Sequence, residues 1–230
     1  SRLIEEEDPK LAADVEETES SEEPLEKQIN LNDARLGAVL AALKGAGAKR
    51  VLDLGCGEGK LLREILKEKQ FELIVGMDVS IRSLEKAKER LHLDTMPLRM
   101  KDRIKLLHGS LLYRDRRLAG FDAAAAVEVI EHLDQPRLAA AERVIFEFAK
   151  PRTVVITTPN REFNALWKLG TEQKLRHPDH RFEWTRSEFQ AWANGIATRF
   201  GYSVRFIPIG PEDLNAGPPT QMALFALNEG

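Results

Sequence analysis

Two glutamates and a histidine stand close together in the middle of the chain, at Glu128, Glu131 and His132. Spacings of three and four residues place these side chains on one face if the backbone turns helically there. Two crowded carboxylates are costly unless a cation or a proton compensates their charge. Together with an imidazole they form a facial set of ligands for a divalent metal. The alternative is a metal-free turn that forms the floor of a ligand pocket.

A second histidine-bearing segment, residues 177–186, belongs to an irregular, aromatic-rich stretch that begins at Pro159. If this stretch overhangs the same edge of the fold, either His177 or His180 could supply a fourth metal ligand. The alternative is a packed aromatic plug with solvated histidines. Mixed oxygen and nitrogen ligands favour Mn²⁺, with Mg²⁺ as the second choice, and the lack of thiolates argues against structural zinc.

A glycine-rich segment, residues 53–59, follows a short apolar run. Glycines let the backbone turn tightly and approach a ligand closely. The spacing GxGxG differs from the GxGxxG of pyrophosphate-binding loops. The acid before it, Asp53, suits a positively charged amino group better than a phosphate. We therefore expect the loop to bind the methionine part of S-adenosylmethionine. The alternatives are a generic nucleotide loop or a turn without a ligand.

Further candidate cofactor residues follow the next two predicted strands. Asp78 is placed to accept hydrogen bonds from both ribose hydroxyls of a nucleoside, and residues 108–111 lie where an adenine edge would be met. The full set of expected cofactor-binding residues is Asp53, Gly55, Gly57, Asp78, Ser80, Ser110 and Leu111.

Alternating apolar strands and amphipathic helices separate these candidate groups. The patterns predict strands at 50–54, 73–78, 104–107, 121–127, 153–157, 204–208 and 222–227, and helices at 35–43, 60–67, 81–91, 135–149 and 187–200. Such alternation predicts an α/β fold. We expect a doubly wound, seven-stranded, mostly parallel sheet with helices on both faces, an insertion after strand five and an antiparallel edge.

The bulk composition is that of an ordinary globular protein. The chain has 230 residues, a formal net charge of −3 and one cysteine, Cys56. That charge argues against bulk attraction to nucleic acid or membranes but leaves room for a local basic groove. A single cysteine excludes an internal disulfide, and with no apolar run long enough for a membrane span we expect a cytoplasmic protein.

Acidic residues crowd the start of the chain, which begins with Ser1. We interpret residues 1–28 as an acidic linker or flexible segment and residues 29–230 as one folded domain. This opening also suggests a piece of a longer protein.

The glycine loop, with Asp53 and Asp78, resembles the class I S-adenosylmethionine-dependent methyltransferases over roughly residues 31–227. Three segments, 128–132, 158–164 and 179–186, are similar to one family more specifically. It comprises the RNA 3′-terminal ribose 2′-O-methyltransferases that modify small RNAs, with a bacterial branch in RNA repair. The resemblance implies that the metal ligands and catalytic residues are Glu128, Glu131, His132 and His180, with His180 favoured over His177.

The resemblance further implies methyl transfer to the 2′-hydroxyl of the 3′-terminal ribose of RNA. A divalent ion reached by both terminal hydroxyls would lower the pKa of the 2′-hydroxyl and would select RNA ends, since an internal nucleotide has no free 3′-hydroxyl. The implied partners are an N-terminal ligase-supporting half and a polynucleotide kinase–phosphatase.

Side chains of the irregular stretch are candidates for RNA contacts, and Glu183 is a candidate for orienting a ligand histidine. The basic candidates are Arg161, Lys168, Arg176, Arg181 and Arg186, and the aromatic ones are Phe163, Trp167, Phe182 and Trp184.

Two other functions remain open. One is a metal-independent small-molecule O- or N-methyltransferase that uses Glu131 or His132 as general base. The other is a non-catalytic cofactor-binding module of a repair protein.

Overall fold

The computed structural model describes residues 30–167 and 175–229. Seven strands within these ranges form one sheet. They are β1 (Arg50–Leu54), β2 (Leu73–Asp78), β3 (Ile104–His108), β4 (Ala123–Val127), β5 (Thr153–Pro159), β6 (Tyr202–Ile209) and β7 (Thr220–Leu227). The order across the sheet is β3-β2-β1-β4-β5-β7-β6. The first five strands pair in parallel, and β7 runs antiparallel to both of its neighbours. The expected doubly wound sheet with an antiparallel edge is confirmed.

Helices cover both faces of this sheet. They are α1 (Leu31–Gly45), α2 (Lys60–Lys67), α3 (Ile81–Arg90), α4 (Leu98–Lys101), α5 (Gln135–Glu142) and α6 (Arg186–Phe200). Neighbouring residues of β1 belong to different cores: Val51 packs in the cluster under α1 and α2, and Leu52 packs in the cluster under α5 and α6. Alternate side chains of a strand point to opposite faces, so each strand contributes to two buried layers.

The predicted helix over 135–149 is interrupted. It is α-helical only through Glu142 and continues as a π-helix from Arg143 to Ala149. Val144, Ile145 and Phe146 are all buried there. The wider π turn reduces the angle between successive side chains, which lets three consecutive residues face the same core.

The carboxyl ends of the parallel strands meet at one edge of the sheet, where open α/β folds bind ligands. The glycine loop follows β1, Asp78 ends β2, and short 3₁₀ turns follow at Ile130–His132 after β4 and at Arg161–Trp167 after β5. The insertion expected after strand five occupies the interval between β5 and α6.

None of the described helices is long and apolar enough to cross a membrane. The cytoplasmic location stays a prediction. The predicted acidic segment 1–28 lies outside the described residues, so the proposed boundary before residue 29 stays a prediction as well.

Candidate active site

Two cavities open at the carboxyl edge of the sheet. The first, here called the glycine-loop cavity, has a volume of about 410 Å³ and is lined by Gly55, Asp78 and Ser110 among others. The second, here called the basic cavity, measures about 230 Å³ and is lined by Asn32, Arg35, Lys60, Glu128, His132, Arg176, His177 and His180. Glu128 and His132 line both cavities. The two cavities therefore adjoin at these two side chains.

Backbone geometry explains why the loop after β1 needs glycine. Gly55 has a φ of +77°, and a Cβ there would lie 2.6 Å from Cγ2 of Val129. Gly57 has a φ of +50°. Its N–H donates to Oδ2 of Asp78 over 2.8 Å, which ties the loop to the end of β2. A residue with a side chain at Gly55 would be both strained and blocked.

Asp53 lies beneath this loop and is buried. Among the described residues, no hydrogen-bond donor reaches its Oδ2. Burial, and then repulsion from Asp78, raises the pKa of Asp53 to about 7. A buried carboxylate in this state is stabilised by a nearby positive charge, as the amino group of a bound methionine moiety would provide.

The predicted cofactor residues fall into two groups. Gly55, Asp78, Ser110 and Leu111 line the glycine-loop cavity. Asp53, Gly57 and Ser80 are not part of its lining. The Ser80 hydroxyl caps α3 by accepting a hydrogen bond from the Ser83 N–H over 3.1 Å, and the Ser80 N–H donates to Asp78 over 2.8 Å. Ser80 thus holds the Asp78 carboxylate and the start of α3 in place.

The acid–histidine segment and the insertion come together as expected. Ligand atoms of Glu131, His132 and His180 all lie within 4.8 Å of one another. The His132 and His180 ring centroids are 4.9 Å apart. The Arg181 N–H donates to the Glu131 carbonyl over 2.7 Å, which fixes the insertion against the turn after β4.

Glu131 is fully buried, and a cation beside its carboxylate would stabilise it. Thr158 donates to Oε2 over 3.2 Å, but no described residue hydrogen-bonds to Oε1. Burial, followed by repulsion from Glu128, holds the pKa of Glu131 well above its ordinary value. A divalent ion between this carboxylate and the two imidazoles would resolve that unfavourable state, so the residues present fit a metal.

Glu128 does not join the three-residue group, although the spacing predicted that it would. Its φ is +54°, an uncommon conformation for a residue other than glycine. Its carboxylate accepts a hydrogen bond from Thr157 over 2.9 Å and pairs with the Arg35 guanidinium over 3.3 Å. The Glu128 carboxylate is thus engaged by Arg35 of α1 and by Thr157, while its charge still acts on Glu131. Glu128 as a fourth metal ligand stays a proposal.

His180 is held by a buried network within the insertion. Its Nδ1 is 2.5 Å from Oε1 of Glu183. Glu183 also accepts hydrogen bonds from the Arg176 N–H and from the side chain of Asn164. Burial alone would raise the pKa of Glu183, but these hydrogen bonds lower it overall. A carboxylate at Nδ1 leaves Nε2 as the ring nitrogen directed to a metal, as the sequence suggested for Glu183.

Two further histidines, His132 and His177, lie near His180 and differ from it. His177 accepts a hydrogen bond at Nδ1 from the Asp179 N–H over 3.1 Å and is not a member of the three-residue group. His132 remains exposed as a whole. Loss of surrounding water at its ring and repulsion from His180 and His177 lower the pKa of His132 to about 4. A neutral imidazole is the form that binds metals.

Most of the predicted RNA-contacting side chains are engaged within the protein. Arg161 pairs with Glu188, Arg186 pairs with Glu162, and Arg176 is buried over the Trp167 ring at 4.0 Å. Phe163 and Phe182 are buried, and Trp184 packs against Phe182 and Trp192. Arg181 remains exposed, with its Nε 3.7 Å from Asp134. Lys168 lies outside the described residues.

Arg35 was not identified from the sequence as a site residue, yet it lines the basic cavity and pairs with Glu128. The sequence does contain an indication of this role: Arg35 lies at four-residue spacing in the row of buried residues of α1 that also contains Leu31, Val39 and Leu43. A charged residue in an apolar helix stripe needs a buried partner. That partner, Glu128, lies 93 positions further along the chain, directly after β4, so the pairing is not visible in the sequence.

The Glu183 network leads to a prediction about His180. The change Glu183→Gln keeps the shape of the side chain but removes its charge, so the His180 ring is held less firmly. We expect the affinity for Mn²⁺, measured by calorimetric titration, to fall on the order of 10- to 100-fold. Glu188→Gln is the matched control, because glutamine still supports the capping box at the start of α6. Unchanged Mn²⁺ affinity in a folded Glu183→Gln variant would show that this carboxylate does not position His180.

Comparison with known proteins gives concordant results. A family model described as a methyltransferase domain matches residues 26–200. The chain is 40% identical over 189 residues to the small RNA 2′-O-methyltransferase of Rattus norvegicus, covering 79% of this chain and 47% of that protein. It therefore spans about half the length of that curated relative.

Solved structures agree with the sequence matches. The methyltransferase domain of bacterial CtHen1 superposes with a TM-score of 0.79 at 54% identity, covering 86% of this chain and all of that chain. A chain from the structure of the Pnkp1/Rnl/Hen1 RNA repair complex shares the fold at 22% identity and a TM-score of 0.61, over 85% of this chain and 41% of that one.

Proposed function

The chain belongs to the methyltransferase family that includes bacterial Hen1 and the small RNA 2′-O-methyltransferases, and from that premise we propose that it methylates the 2′-hydroxyl of the 3′-terminal ribose of RNA. We propose S-adenosylmethionine as the methyl donor and a divalent metal as a second cofactor. Because the chain covers less than half of the rat relative, the activity and the substrate are proposals.

One observation carries this proposal. Glu128 and His132 line both the glycine-loop cavity and the basic cavity. A methyl group presented from the first cavity and an RNA end bound in the second would meet at this wall. The meeting point adjoins the group formed by Glu131, His132 and His180. Binding donor and acceptor in adjoining cavities that share these two side chains supplies the positioning that methyl transfer needs.

The proposed ligands of the metal are Glu131, His132 and His180, with Glu128 as the fourth. Support comes from Oε1 of Glu131, which is buried and lacks a hydrogen-bond partner among the described residues. Two carboxylates and two imidazoles favour Mn²⁺, with Mg²⁺ as the alternative to be tested. When bound, such an ion supplies Lewis acidity that makes a ribose hydroxyl easier to deprotonate.

The remaining roles fall to the chain's own groups. The glycine loop and Asp78 would hold the nucleoside, and Asp53 would compensate the amino group of the methionine part. Glu183 holds Nδ1 of His180, which keeps that ring in one orientation. We assign no proton transfer to His132, because its ring is one of the proposed metal ligands.

RNA repair in the cytoplasm is the proposed setting. The proposed partners are an N-terminal ligase-supporting half and a polynucleotide kinase–phosphatase. The Pnkp1/Rnl/Hen1 complex supports this idea only at the level of a shared fold, since the identity is 22%. A single cysteine, which cannot form an internal disulfide, is compatible with a reducing compartment.

The test compares short RNAs that differ only at the 3′ end. Transfer of a labelled methyl group is measured with Mn²⁺ present, using ends that carry a 2′,3′-diol, a 3′-deoxyribose or a 2′-deoxyribose. We expect labelling of the diol end alone. Equal labelling of the 3′-deoxy end, or full activity in excess chelator, would instead favour a metal-independent methyltransferase. Cofactor binding without transfer to any acceptor would favour a non-catalytic module.

A further inference from the structure

The basic cavity has an unusual charge balance for a space beside a metal-ligand cluster. Three of its lining residues, Arg35, Lys60 and Arg176, are cationic, and Glu128 is its one carboxylate. A cavity with this excess of positive charge suits an anion. Because its wall is shared with the glycine-loop cavity, an anion here would lie beside the acceptor group of the reaction.

The two arginines of this cavity are already committed to protein groups. Arg35 pairs with Glu128 over 3.3 Å and donates to Thr220 over 3.4 Å. Arg176 donates to the Pro219 carbonyl over 2.7 Å and lies over the Trp167 ring. Both side chains are buried, so they shape the wall of the cavity and contribute a fixed positive field.

Lys60 differs from both arginines. It is exposed at the first position of α2, directly after Gly59. Within residues 30–167 and 175–229, its ammonium group has no hydrogen bond or ion pair. The acid close to it in sequence, Glu58, feels its charge but is held by Lys86 at 2.8 Å and by Arg90 at 2.6 Å. The ammonium group of Lys60 can therefore meet a ligand without giving up a partner in the protein. The amino end of α2 adds a further positive field.

We propose that Lys60 binds the phosphate that joins the terminal nucleotide of the RNA to the one before it, an assignment that rests on the proposed function. A terminal ribose at the wall formed by Glu128 and His132 carries one charged group, the phosphodiester at its 5′ side. When the ribose hydroxyls face Glu131, His132 and His180, this phosphodiester lies in the basic cavity in our proposal. Lys60 is a specificity-determining residue in this account: it selects a nucleotide that is part of a chain over a free nucleoside.

The test combines a variant with a modified RNA. Lys60→Gln is compared with Lys67→Gln, a control on the same helix whose lysine pairs with Glu64 over 2.6 Å and does not line the cavity. Each protein is assayed with natural RNA and with RNA whose last linkage is an uncharged methylphosphonate. Initial rates give kcat and KM, and fluorescence anisotropy gives the RNA Kd without turnover.

For the wild type and for Lys67→Gln, we expect the methylphosphonate to raise KM and Kd about tenfold, with kcat nearly unchanged. For Lys60→Gln, we expect natural RNA to show the same tenfold loss already and the methylphosphonate to add little to it. Lys60→Arg should restore most of the affinity for natural RNA, since it restores the charge.

Two outcomes overturn the assignment while leaving the proposed function intact. One is a Lys60→Gln variant that binds natural RNA like Lys67→Gln. The other is a methylphosphonate penalty of the same size in Lys60→Gln and in the wild type. If the wild type transfers no methyl group to natural RNA with a diol end, the proposed function fails, and the Lys60 assignment fails with it.

Discussion

Replacing Glu131 by glutamine is expected to abolish methyl transfer and, at the same time, to stabilise the metal-free protein. The carboxylate is fully buried next to Glu128, and its Oε1 has no hydrogen-bond partner among the described residues. Glutamine keeps the size of the side chain and can still accept the hydrogen bond from Thr158, but it brings no charge into the interior. Replacing this only partly compensated buried carboxylate by a neutral amide removes the desolvation cost of its charge and the repulsion from Glu128.

The loss of activity should be large. Replacing groups that merely orient a metal ligand costs about 10- to 100-fold, so loss of a ligand carboxylate should exceed about 100-fold. Methyl transfer to RNA and thermal unfolding without metal are measured on the same preparation. Glu147→Gln, an exposed glutamate on the π-helix that pairs with Arg143, is the control and should change neither property. A Glu131→Gln variant with near-normal activity would remove this carboxylate from the proposed metal site.

Asp53→Asn should have opposite effects on cofactor binding and on stability. The neutral amide cannot compensate the amino group of S-adenosylmethionine, so we expect the cofactor Kd to rise on the order of 10- to 100-fold. The cofactor-free protein should become more stable, because asparagine removes a buried charge that Asp78 repels. Calorimetric titration with the cofactor and thermal unfolding without it measure the two effects.

The pKa of Asp53 also determines how the stability gain depends on pH. In the folded state this carboxyl keeps its proton up to about pH 7, whereas its ordinary pKa is 3.8. Between these values the folded state binds more protons than the unfolded state, so the wild type loses stability as the pH rises. The advantage of Asp53→Asn should grow with pH through this window and level off above it at up to about 4 kcal/mol.

Asp102→Asn, which changes an exposed carboxylate, is the control for that series. It should show no comparable growth in stability with pH. If Asp53→Asn is less stable than the wild type at every pH, the account of a strained, buried carboxylate is wrong. Undiminished cofactor affinity would separately show that Asp53 does not compensate the amino group.

Local patterns were sufficient to predict much of the fold. The predicted bounds of β1 and α2 agree with the structure, because an apolar run and an amphipathic repeat are complete within their own residues. The Ser80 cap of α3 was visible for the same reason. The π-helix at Arg143–Ala149 was not, since its winding depends on which core side chains the sheet and α6 leave room for.

The site shows the same division between local and long-range information. Spacing placed Glu131 beside His132, and family resemblance favoured His180, which the structure brings to them through a hydrogen bond between the insertion and the turn after β4. The orientation of Glu128 depends on a left-handed backbone and on Arg35, which lies on a distant helix. The pairing of Arg161 with Glu188 and of Arg186 with Glu162 also depends on long-range contacts, so it could not be predicted from the sequence, and RNA contacts by these arginines stay a prediction.

Resistance of the RNA 3′ end to periodate tests the central claim most directly. Periodate cleaves a terminal 2′,3′-diol and spares a ribose whose 2′-oxygen carries a methyl group. Short RNA is incubated with the protein and S-adenosylmethionine, with Mn²⁺ or with excess chelator, and is then oxidised. The account predicts protected ends only when both cofactor and metal are present, and none with Glu131→Gln. Methyl incorporation that leaves the ends sensitive to periodate, or protection that persists in excess chelator, would contradict it.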